Sequence, residues 1–355
     1  MRLSLVLALF SSATSAAPLK PGTKLPLPSR AVYQFPNPSW IENIAVRSNG
    51  DLLLTMLTTP ELYQLRGVQG PSPRAELIHG FPSITGLTGI AETTQDTFIV
   101  AGGNSSGPGV GIPGTSSVWE VKLRGRRPEV VKIVDIPEAV FLNGVVTNPL
   151  NKNEVLIADS SLGKVFKVNI KEKNHQVAAE VPEMAPPANA PIPLGINGVH
   201  IQDGFLYWTN TILSKLFRIR INKNGIVTTG AEVETVATLT SLLDDFALDR
   251  LGTSWVTTNG NNTVLAISPN GKNVVVEGSL SELTVAGATA AAFGRTPKDS
   301  DILYVVTSGA LAVPVNGTIT EGGKIVAINT KGFAQVVGEE EKNILCRSRS
   351  CHLRS

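Results

Sequence analysis

Residues 197–221 read NGVHIQDGFLYWTNTILSKLFRIRI and predict three short strands joined by turns. Asp203-Gly204 is a hairpin turn between the first strand and the aromatic second strand FLYWT. Residues 215–221 alternate apolar and basic side chains, which is typical of a strand with one buried face. A fourth strand, AEVETVATL, is predicted at 231–239. The segment therefore has the content of one four-stranded antiparallel sheet.

The opening of this segment recurs, so that six copies lie along the chain. Their starts are 46, 55, 54, 47 and 45 residues apart. A repeat of about 40–50 residues with four strands is typical of a β-propeller blade. The sequence therefore predicts an all-β, six-bladed β-propeller with four-stranded blades around a central channel. The copies open with ENIAV at Glu42, TGIAE at Thr88, NGVVT at Asn143, NGVHI at Asn197, DDFAL at Asp244 and TAAAF at Thr289.

The same repeat predicts how the propeller closes and where its long loops lie. Two terminal strands, AVYQF at 31–35 and FAQVV at 333–337, are both candidates to complete the last blade. Residues 102–117 and 182–193 are rich in Gly, Pro, Ser or Ala, and they predict flexible insertions in blades 2 and 4.

The N-terminus has the features of a secretory signal peptide. Met1 and Arg2 lead into a short apolar run, and small residues follow up to Ala16. The apolar run is too short to cross a hydrocarbon core of about 30 Å. We expect a signal peptide over 1–16, one propeller domain over 17–340 and a basic tail over 341–355. The chain is therefore expected to enter the secretory pathway and to be secreted, with no transmembrane segment.

Two further features fit an oxidising secretory compartment. Cys346 and Cys351 are the two cysteines of the chain and predict a disulfide that closes a small loop in the tail. Sequons begin at Asn104, Asn261 and Asn316, each in a Gly-rich turn region, and predict N-glycosylation sites.

Composition limits the classes of function. The formal net charge is +2, and no basic run is interleaved with aromatic residues, so we expect no nucleic-acid partner. The one G-x-S-x-G match, GNSSG at 103–107, lies in the Gly-rich insertion with no helix-period pattern after it, so it does not predict a nucleophile elbow. The pattern of His200 predicts packing between blades. Nucleophilic catalysis is therefore unsupported.

A ring of polar residues is expected at one mouth of the channel, because innermost strands line a propeller's channel and start on the same face. We call the first residues of the six copies the ring residues. Asp159, Asn210 and Asn259, at the ends of second strands, should surround them. Such oxygen donors suit a divalent metal (Ca, Mg, Mn or Zn), but they also suit hydrogen bonds between blades. An extended segment allows one of Asp244 and Asp245 to face the channel, and register favours Asp244. The ring residues are Glu42, Thr88, Asn143, Asn197, Asp244 and Thr289.

Aromatic side chains at the strand ends indicate an apolar rim. Trp40, Phe81 and Phe141 precede innermost strands, and such a rim favours hydrophobic small-molecule substrates. The predicted substrate-binding residues are Trp40, Thr88, Phe141, Asn210, Asn259 and Thr289.

Two stretches resemble the senescence marker protein / gluconolactonase superfamily of six-bladed propellers. They are GINGVHIQDGFLYWTNT at 195–211 and LLDDFALDRLGTSWVTTN at 242–259. In lactonases of that superfamily a glutamate, asparagines and an aspartate bind a divalent metal. The resemblance implies that role for Glu42, Asn143, Asn197 and Asp244, and it loosely places a general base at Asp159. Asn43 and Asp245 replace glycines of the motif.

The first blade resembles a fungal branch of secreted propellers, through YQFPN at 33–37 and the stretch from Trp40 to Leu54. That branch is similar to the hetero-Diels–Alderases of tropolone-sesquiterpenoid biosynthesis. The resemblance implies dehydration of a hydroxymethyl tropolone to an o-quinone methide, which a humulene-type alkene captures as a dihydropyran. This chemistry requires no cofactor. The alternatives are a metal-dependent lactonase and a non-enzymatic binding propeller. The catalytic residues implied are Glu42, Asn143, Asn197 and Asp244.

Overall fold

The computed structural model describes residues 23–125 and 127–333, and in them the predicted six-bladed propeller is confirmed. The six sheets have four antiparallel strands each, and a two-stranded hairpin is added in blade 2. The predicted signal peptide, the basic tail and the Cys346–Cys351 disulfide lie outside the described residues.

The strands run in chain order from the closing strand through the six blades. Before blade 1 comes β1 (Ser29–Gln34), and blade 1 holds β2 (Ile41–Val46), β3 (Leu52–Met56), β4 (Glu61–Arg66) and β5 (Arg74–Gly80). Blade 2 holds β6 (Gly86–Thr94), β7 (Thr97–Gly103), the hairpin β8 (Ser105–Gly107) and β9 (Val110–Gly111), β10 (Ser117–Lys122) and β11 (Glu129–Asp135). Blade 3 holds β12 (Leu142–Thr147), β13 (Glu154–Asp159), β14 (Lys164–Asn169) and β15 (Asn174–Glu180).

The remaining blades follow after a short 3₁₀ turn at Pro182–Met184. Blade 4 holds β16 (Ile196–Gln202), β17 (Phe205–Asn210), β18 (Lys215–Arg220) and β19 (Glu234–Thr238). Blade 5 holds β20 (Leu243–Leu248), β21 (Ser254–Thr258), β22 (Thr263–Ile267) and β23 (Asn273–Gly278). Blade 6 holds β24 (Ala288–Phe293), β25 (Ile302–Thr307) and β26 (Lys324–Asn329). No helix in the described part of the chain is long and apolar enough to cross a membrane.

The N-terminal strand completes the propeller. Strand β1 pairs antiparallel with β26 as the outer strand of blade 6, from Ser29 opposite Ile328 to Gln34 opposite Lys324. Of the two candidates from the sequence, the one at 31–35 therefore occupies the closing position. Residues 334–337 of the other candidate lie outside the described residues.

Apolar faces of neighbouring blades form the core. One cluster joins β2, β3, β24 and β26 across the closing junction between blades 6 and 1, with Ile41, Leu52, Leu54 and Ile325 fully buried. A buried leucine or isoleucine contributes about 1.5–3 kcal/mol to stability, so these clusters hold the ring closed.

Threonine hydroxyls also link neighbouring blades beside the channel. Thr55 of blade 1 donates to the carbonyl oxygen of Thr88 in blade 2 at 2.5 Å, and Thr257 of blade 5 donates to that of Thr289 in blade 6 at 2.8 Å. Thr289 then donates to the carbonyl oxygen of Ile41 in blade 1 at 2.6 Å. These bonds fix the spacing of the innermost strands, on which the ring residues lie.

Candidate functional site

All six ring residues lie at the same position of their blades and are buried. Each stands at an irregularity in the pairing of the first and second strands. In blade 5 the register passes from Leu243 directly to Phe246, which leaves Asp244 and Asp245 unpaired in a β-bulge. Because a bulge turns side chains away from regular alternation, the side chains at these positions depart from the in-and-out pattern of their strands.

The carboxyls of Glu42 and Asp244 form the chemical centre of the ring. Burial raises the pKa of Glu42 from 4.5 to about 7; a hydrogen bond from the Trp40 indole opposes the shift, and the charge of Asp245 adds to it. Burial also raises the pKa of Asp244 well above its usual value, with the charge of Glu42 as the next cause. Burial thus disfavours the ionised form of both carboxyls, and the charge of Glu42 further disfavours ionisation of Asp244.

Amide side chains surround this pair. Asn259 donates from Nδ2 to Oδ2 of Asp244 at 3.0 Å, and Asn197 donates from Nδ2 to the hydroxyl of Thr211 at 3.0 Å. The Oδ1 atoms of Asn197 and Asn259 are buried and accept no hydrogen bond from any described residue. Unpaired buried acceptors cost about 1–3 kcal/mol each, so they are suited to a hydroxyl donor or a cation.

Asp245 crosses the channel, contrary to the expectation that one of the adjacent aspartates faces it. Its Oδ2 accepts from Nδ2 of Asn43 in blade 1 at 2.9 Å, and its Oδ1 lies 3.1 Å from Nε2 of His200 in blade 4. Blade 6 separates blades 5 and 1, so the bond to Asn43 must span the pore. The expectation assumed an extended strand and was wrong because both aspartates lie in the bulge.

Glycine at the position after a ring residue lets the innermost strands approach closely. A Cβ on Gly198 would lie 2.1 Å from Oδ1 of Asp245. A Cβ on Gly144 would lie 2.6 Å from the carbonyl oxygen of Asn197. His200 also packs edge-on against Phe246, with ring centroids 4.5 Å apart, in agreement with its predicted place between blades.

The other predicted polar residues take several positions around the ring. Asn143 is buried, and its side chain makes no hydrogen bond within the described residues. The hydroxyls of Thr88 and Thr289 donate to backbone carbonyls. Asn210 donates to the carbonyl oxygens of Glu183 and Ala185, both at 3.0 Å, and so anchors the insertion before blade 4. Contact of these residues with substrate stays a prediction.

Asp159 does not have the surroundings of a general base. Its carboxylate accepts backbone N–H bonds from Val140 at 2.7 Å and from Ser161 and Leu162 at 3.0 Å each. It is fully buried beneath these turns. The loose assignment of a general base to Asp159 is therefore wrong, because the carboxylate is committed to holding two loops of blade 3.

An apolar cap covers the ring. Trp40, Leu57 and Phe141 are buried against one another, and Leu194 and Leu311 pack against them. These residues come from the loops of four blades on the face where the innermost strands begin. The sequence predicted Trp40 and Phe141 at the rim but not the three leucines. Phe81 packs instead in the core of blades 1 and 2.

A cavity of about 10 Å³ lies at the loops of blades 1 to 3, lined by Leu57, Thr88, Asn104 and Phe141 among others. This volume accommodates about one water molecule. It is far smaller than the roughly 300–1,000 Å³ of typical small-molecule sites.

A larger cleft of about 410 Å³ lies on the opposite face, at the junction of blades 6 and 1. Its buried carboxylate, Asp299, accepts hydrogen bonds from Thr296 and from Tyr304, the latter at 3.1 Å. Burial and the neighbouring Asp299 raise the pKa of Tyr304. Because these groups already hydrogen-bond to one another, the cleft is a weaker candidate for the functional site than the ring.

The donor atoms of the ring can also be compared with those that a metal ion requires. No group of three or more His, Cys, Asp or Glu side chains is arranged to hold a metal within residues 23–125 and 127–333. The two carboxyls with the unpaired oxygens of Asn197 and Asn259 nevertheless provide hard oxygen donors that fit a divalent cation.

Two curated fungal proteins are similar to the chain over most of its length. A protein of Phoma sp named "Putative hetero-Diels-Alderase" is 31% identical over 326 residues, covering 85% of this chain and 92% of its own. "Putative hetero-Diels-Alderase asR5" of Sarocladium schorii is 32% identical over 342 residues, covering 87% of this chain and 85% of its own. No model of a known protein family matches the chain.

The fold has relatives of known structure. A solved structure described as a "putative gluconolactonase" superposes with a TM-score of 0.59 and 14% identity, covering 92% of this chain and 99% of its own. At that identity the likeness shows the fold alone. It confirms the predicted resemblance to gluconolactonase-type propellers at the level of architecture.

Proposed function

Because the chain belongs to the hetero-Diels–Alderase family, we propose that it joins a tropolone o-quinone methide to a humulene-type sesquiterpene. The observation that carries this choice of site is the pair of buried carboxyls, Glu42 and Asp244, beneath an apolar cap. The cap matches two hydrophobic reactants, and the carboxyls supply the proton transfers that dehydration requires.

The first step is loss of water from the hydroxymethyl tropolone. Glu42, whose pKa is about 7, holds a proton near neutral pH. It donates this proton to the leaving hydroxyl as the C–O bond breaks, and the carboxylate that results takes up the proton of the tropolone O–H. The products are the o-quinone methide and water, and Glu42 returns to its starting state. General acid catalysis of this kind contributes about 10²–10⁴-fold.

The second step joins the two carbon skeletons without further proton transfer. The quinone methide supplies its CH₂ carbon and carbonyl oxygen, and the alkene supplies two carbons, so one C–C and one C–O bond form. Holding the partners in register removes up to about 7–11 kcal/mol of barrier in ideal cases. The side chains of Trp40, Phe141 and Leu311 present the apolar surface for this alignment.

The test is conversion of a hydroxymethyl tropolone and humulene by purified protein, with the adduct resolved by chiral chromatography. Wild-type protein should give one stereoisomer above the background without protein. Glu42→Gln should slow adduct formation by at least 10²-fold. The control Glu76→Gln should match wild type, because Glu76 lies on the outer strand of blade 1 and forms an exposed ion pair with Arg66. A racemic product at the background rate with wild-type protein would refute the proposal.

The unpaired amide oxygens favour a second candidate, a metal-dependent lactonase. Glu42, Asp244, Asn197 and Asn259 would hold the divalent cation, which when bound polarises a lactone carbonyl. This function would be supported if chelator or the Asp244→Asn change abolished lactone hydrolysis, and if added metal restored the activity of chelator-treated wild-type protein. Adduct formation that is indifferent to chelator would select the first.

A further inference from the structure

Asn104 follows the second strand of blade 2, and its backbone is held firmly. Its N–H donates to the hydroxyl of Thr115 at 2.9 Å, and its carbonyl oxygen accepts from the N–H of Ile112 at 2.9 Å. The hydroxyl of Thr115 donates in turn to the carbonyl oxygen of Ile112 at 2.7 Å. These bonds therefore fix the backbone of Asn104 where the β8–β9 hairpin begins.

The Asn104 residue is partly exposed, but its amide oxygen is buried at the edge of the small cavity. The Oδ1 atom of Asn104 is buried and accepts no hydrogen bond from any residue in the described part of the chain. Asn104 lines the cavity together with the ring residue Thr88 and the cap residues Leu57 and Phe141. A buried amide oxygen without a donor costs about 1–3 kcal/mol, and a hydroxyl brought by a ligand removes that cost.

The sequence assigns Asn104 a different role, as the acceptor of an N-glycan in Asn104-Ser105-Ser106. A glycan requires an amide that projects into solvent, which is the arrangement at Asn316. Asn316 is exposed at a turn in which the N–H of Gly317 bonds the carbonyl oxygen of Pro314. The two asparagines therefore differ in exposure, since Asn316 is exposed whereas Asn104 is partly buried and its Oδ1 is enclosed.

We propose that Asn104 is a substrate-binding residue whose amide oxygen accepts a hydrogen bond from a hydroxyl of the oxygenated reactant. The identity of that reactant as a hydroxymethyl tropolone rests on the proposed function. Asn104 lies beside Thr88, on the side of the mouth bordered by Phe141 of blade 3. A tropolone held there by its hydroxyl would lie next to Phe141 and Leu57, which line the same cavity.

The test compares Asn104→Ala with Ser106→Ala in a host that glycosylates secreted proteins. Both changes destroy the sequon, but Ser106 is exposed and leaves the Asn104 amide in place. Binding is followed by isothermal titration calorimetry with a hydroxymethyl tropolone and with the methyl tropolone that lacks the hydroxyl. Wild type and Ser106→Ala should prefer the hydroxylated probe by about 10-fold, which corresponds to about 1.4 kcal/mol. Asn104→Ala should lose this preference.

Stability provides an independent readout. Removing an unpaired buried acceptor should leave the melting temperature of Asn104→Ala equal to or above that of wild type, whereas loss of a structural residue would lower it. Equal losses in Asn104→Ala and Ser106→Ala, a glycopeptide at Asn104, or an undiminished preference in Asn104→Ala would overturn the inference. Asn104-dependent binding without adduct formation would uphold the inference while refuting the proposed cycloaddition.

Discussion

Replacing Glu42 with glutamine should remove a specific part of the protein's pH-dependent stability. Burial raises the pKa of the Glu42 carboxyl to about 7, while in the unfolded chain it returns to 4.5. Between these values the folded protein binds one more proton than the unfolded chain, so its stability decreases as pH rises. The contribution of Glu42 is therefore present below pH 4.5 and lost through about pH 7. A shift of this size corresponds to about 3 kcal/mol.

The assay is urea denaturation at pH 5 and pH 8 with a chelator present, because a bound cation would itself lower the pKa of the carboxyl. Glutamine keeps the shape and an oxygen acceptor for the Trp40 indole N–H, but it does not ionise. Between pH 5 and pH 8 the free energy of unfolding of wild type should fall by about 2–3 kcal/mol more than that of Glu42→Gln.

Titrating groups far from Glu42 contribute equally to both proteins and cancel in the difference. Asp244 does not cancel, because the charge of Glu42 is one cause of its raised pKa and glutamine removes that charge. Its decrease has the same sign in both proteins but is larger in wild type, so it adds to the expected difference. Glu76→Gln serves as the control, because Glu76 forms an exposed ion pair with Arg66 at 3.0 Å. If the stability of wild type and of Glu42→Gln changed in parallel with pH, Glu42 would titrate alike in the folded and unfolded chains. That result would refute the role of Glu42 as a general acid.

Two further predictions concern the scaffold of the ring. Gly198→Ala should lower the free energy of unfolding in urea by about 1–3 kcal/mol, because the new Cβ would lie 2.7 Å from the Cα of Asp245. The control Gly80→Ala should cost little, because a Cβ there has no heavy atom within 4 Å. Equal effects of the two changes would contradict the close approach at Gly198. Thr257→Val should cost about 1–2 kcal/mol in the same assay, because its hydroxyl bonds the carbonyl oxygen of Thr289 at 2.8 Å, and an unchanged midpoint would show that this link between blades is unimportant.

The strands could be predicted from the sequence because each repeats a local pattern. Strands β3, β25 and β26 illustrate this pattern. Each consists largely of buried apolar residues bounded by turn residues. Strand β19 is shorter than the predicted 231–239, running from Glu234 to Thr238, because an outer strand has a neighbour on one side and few burial constraints. The insertion at 102–117 was expected to be flexible, but it contains the β8–β9 hairpin.

The site was less accessible to prediction, because its geometry depends on irregular pairing. The repeat aligned the ring residues correctly, since each begins an innermost strand. It did not show that a bulge follows in blade 5, and alternation therefore excluded Asp245 from the channel. The clue was in the sequence: Asp245 and Asn43 replace small residues of the repeat at the same position, and they bond to each other at 2.9 Å. Paired departures from a repeat are a signal that their side chains meet.

The cap illustrates a second limit and a consequence for the chemistry. Leu57, Leu194 and Leu311 lie far apart in the sequence, in loops whose conformations follow no period, so nothing local identifies them as neighbours of Trp40. The cluster nevertheless meets the ring, because its Trp40 donates a hydrogen bond to Glu42, and burial is the largest cause of the raised pKa of that carboxyl. Under the proposed function, separation of the cap loops should admit water and lower this pKa, and closure over an apolar reactant should raise it again. Access to the ring and the acid strength of Glu42 should therefore be coupled, with dehydration favoured when the partner alkene is already enclosed.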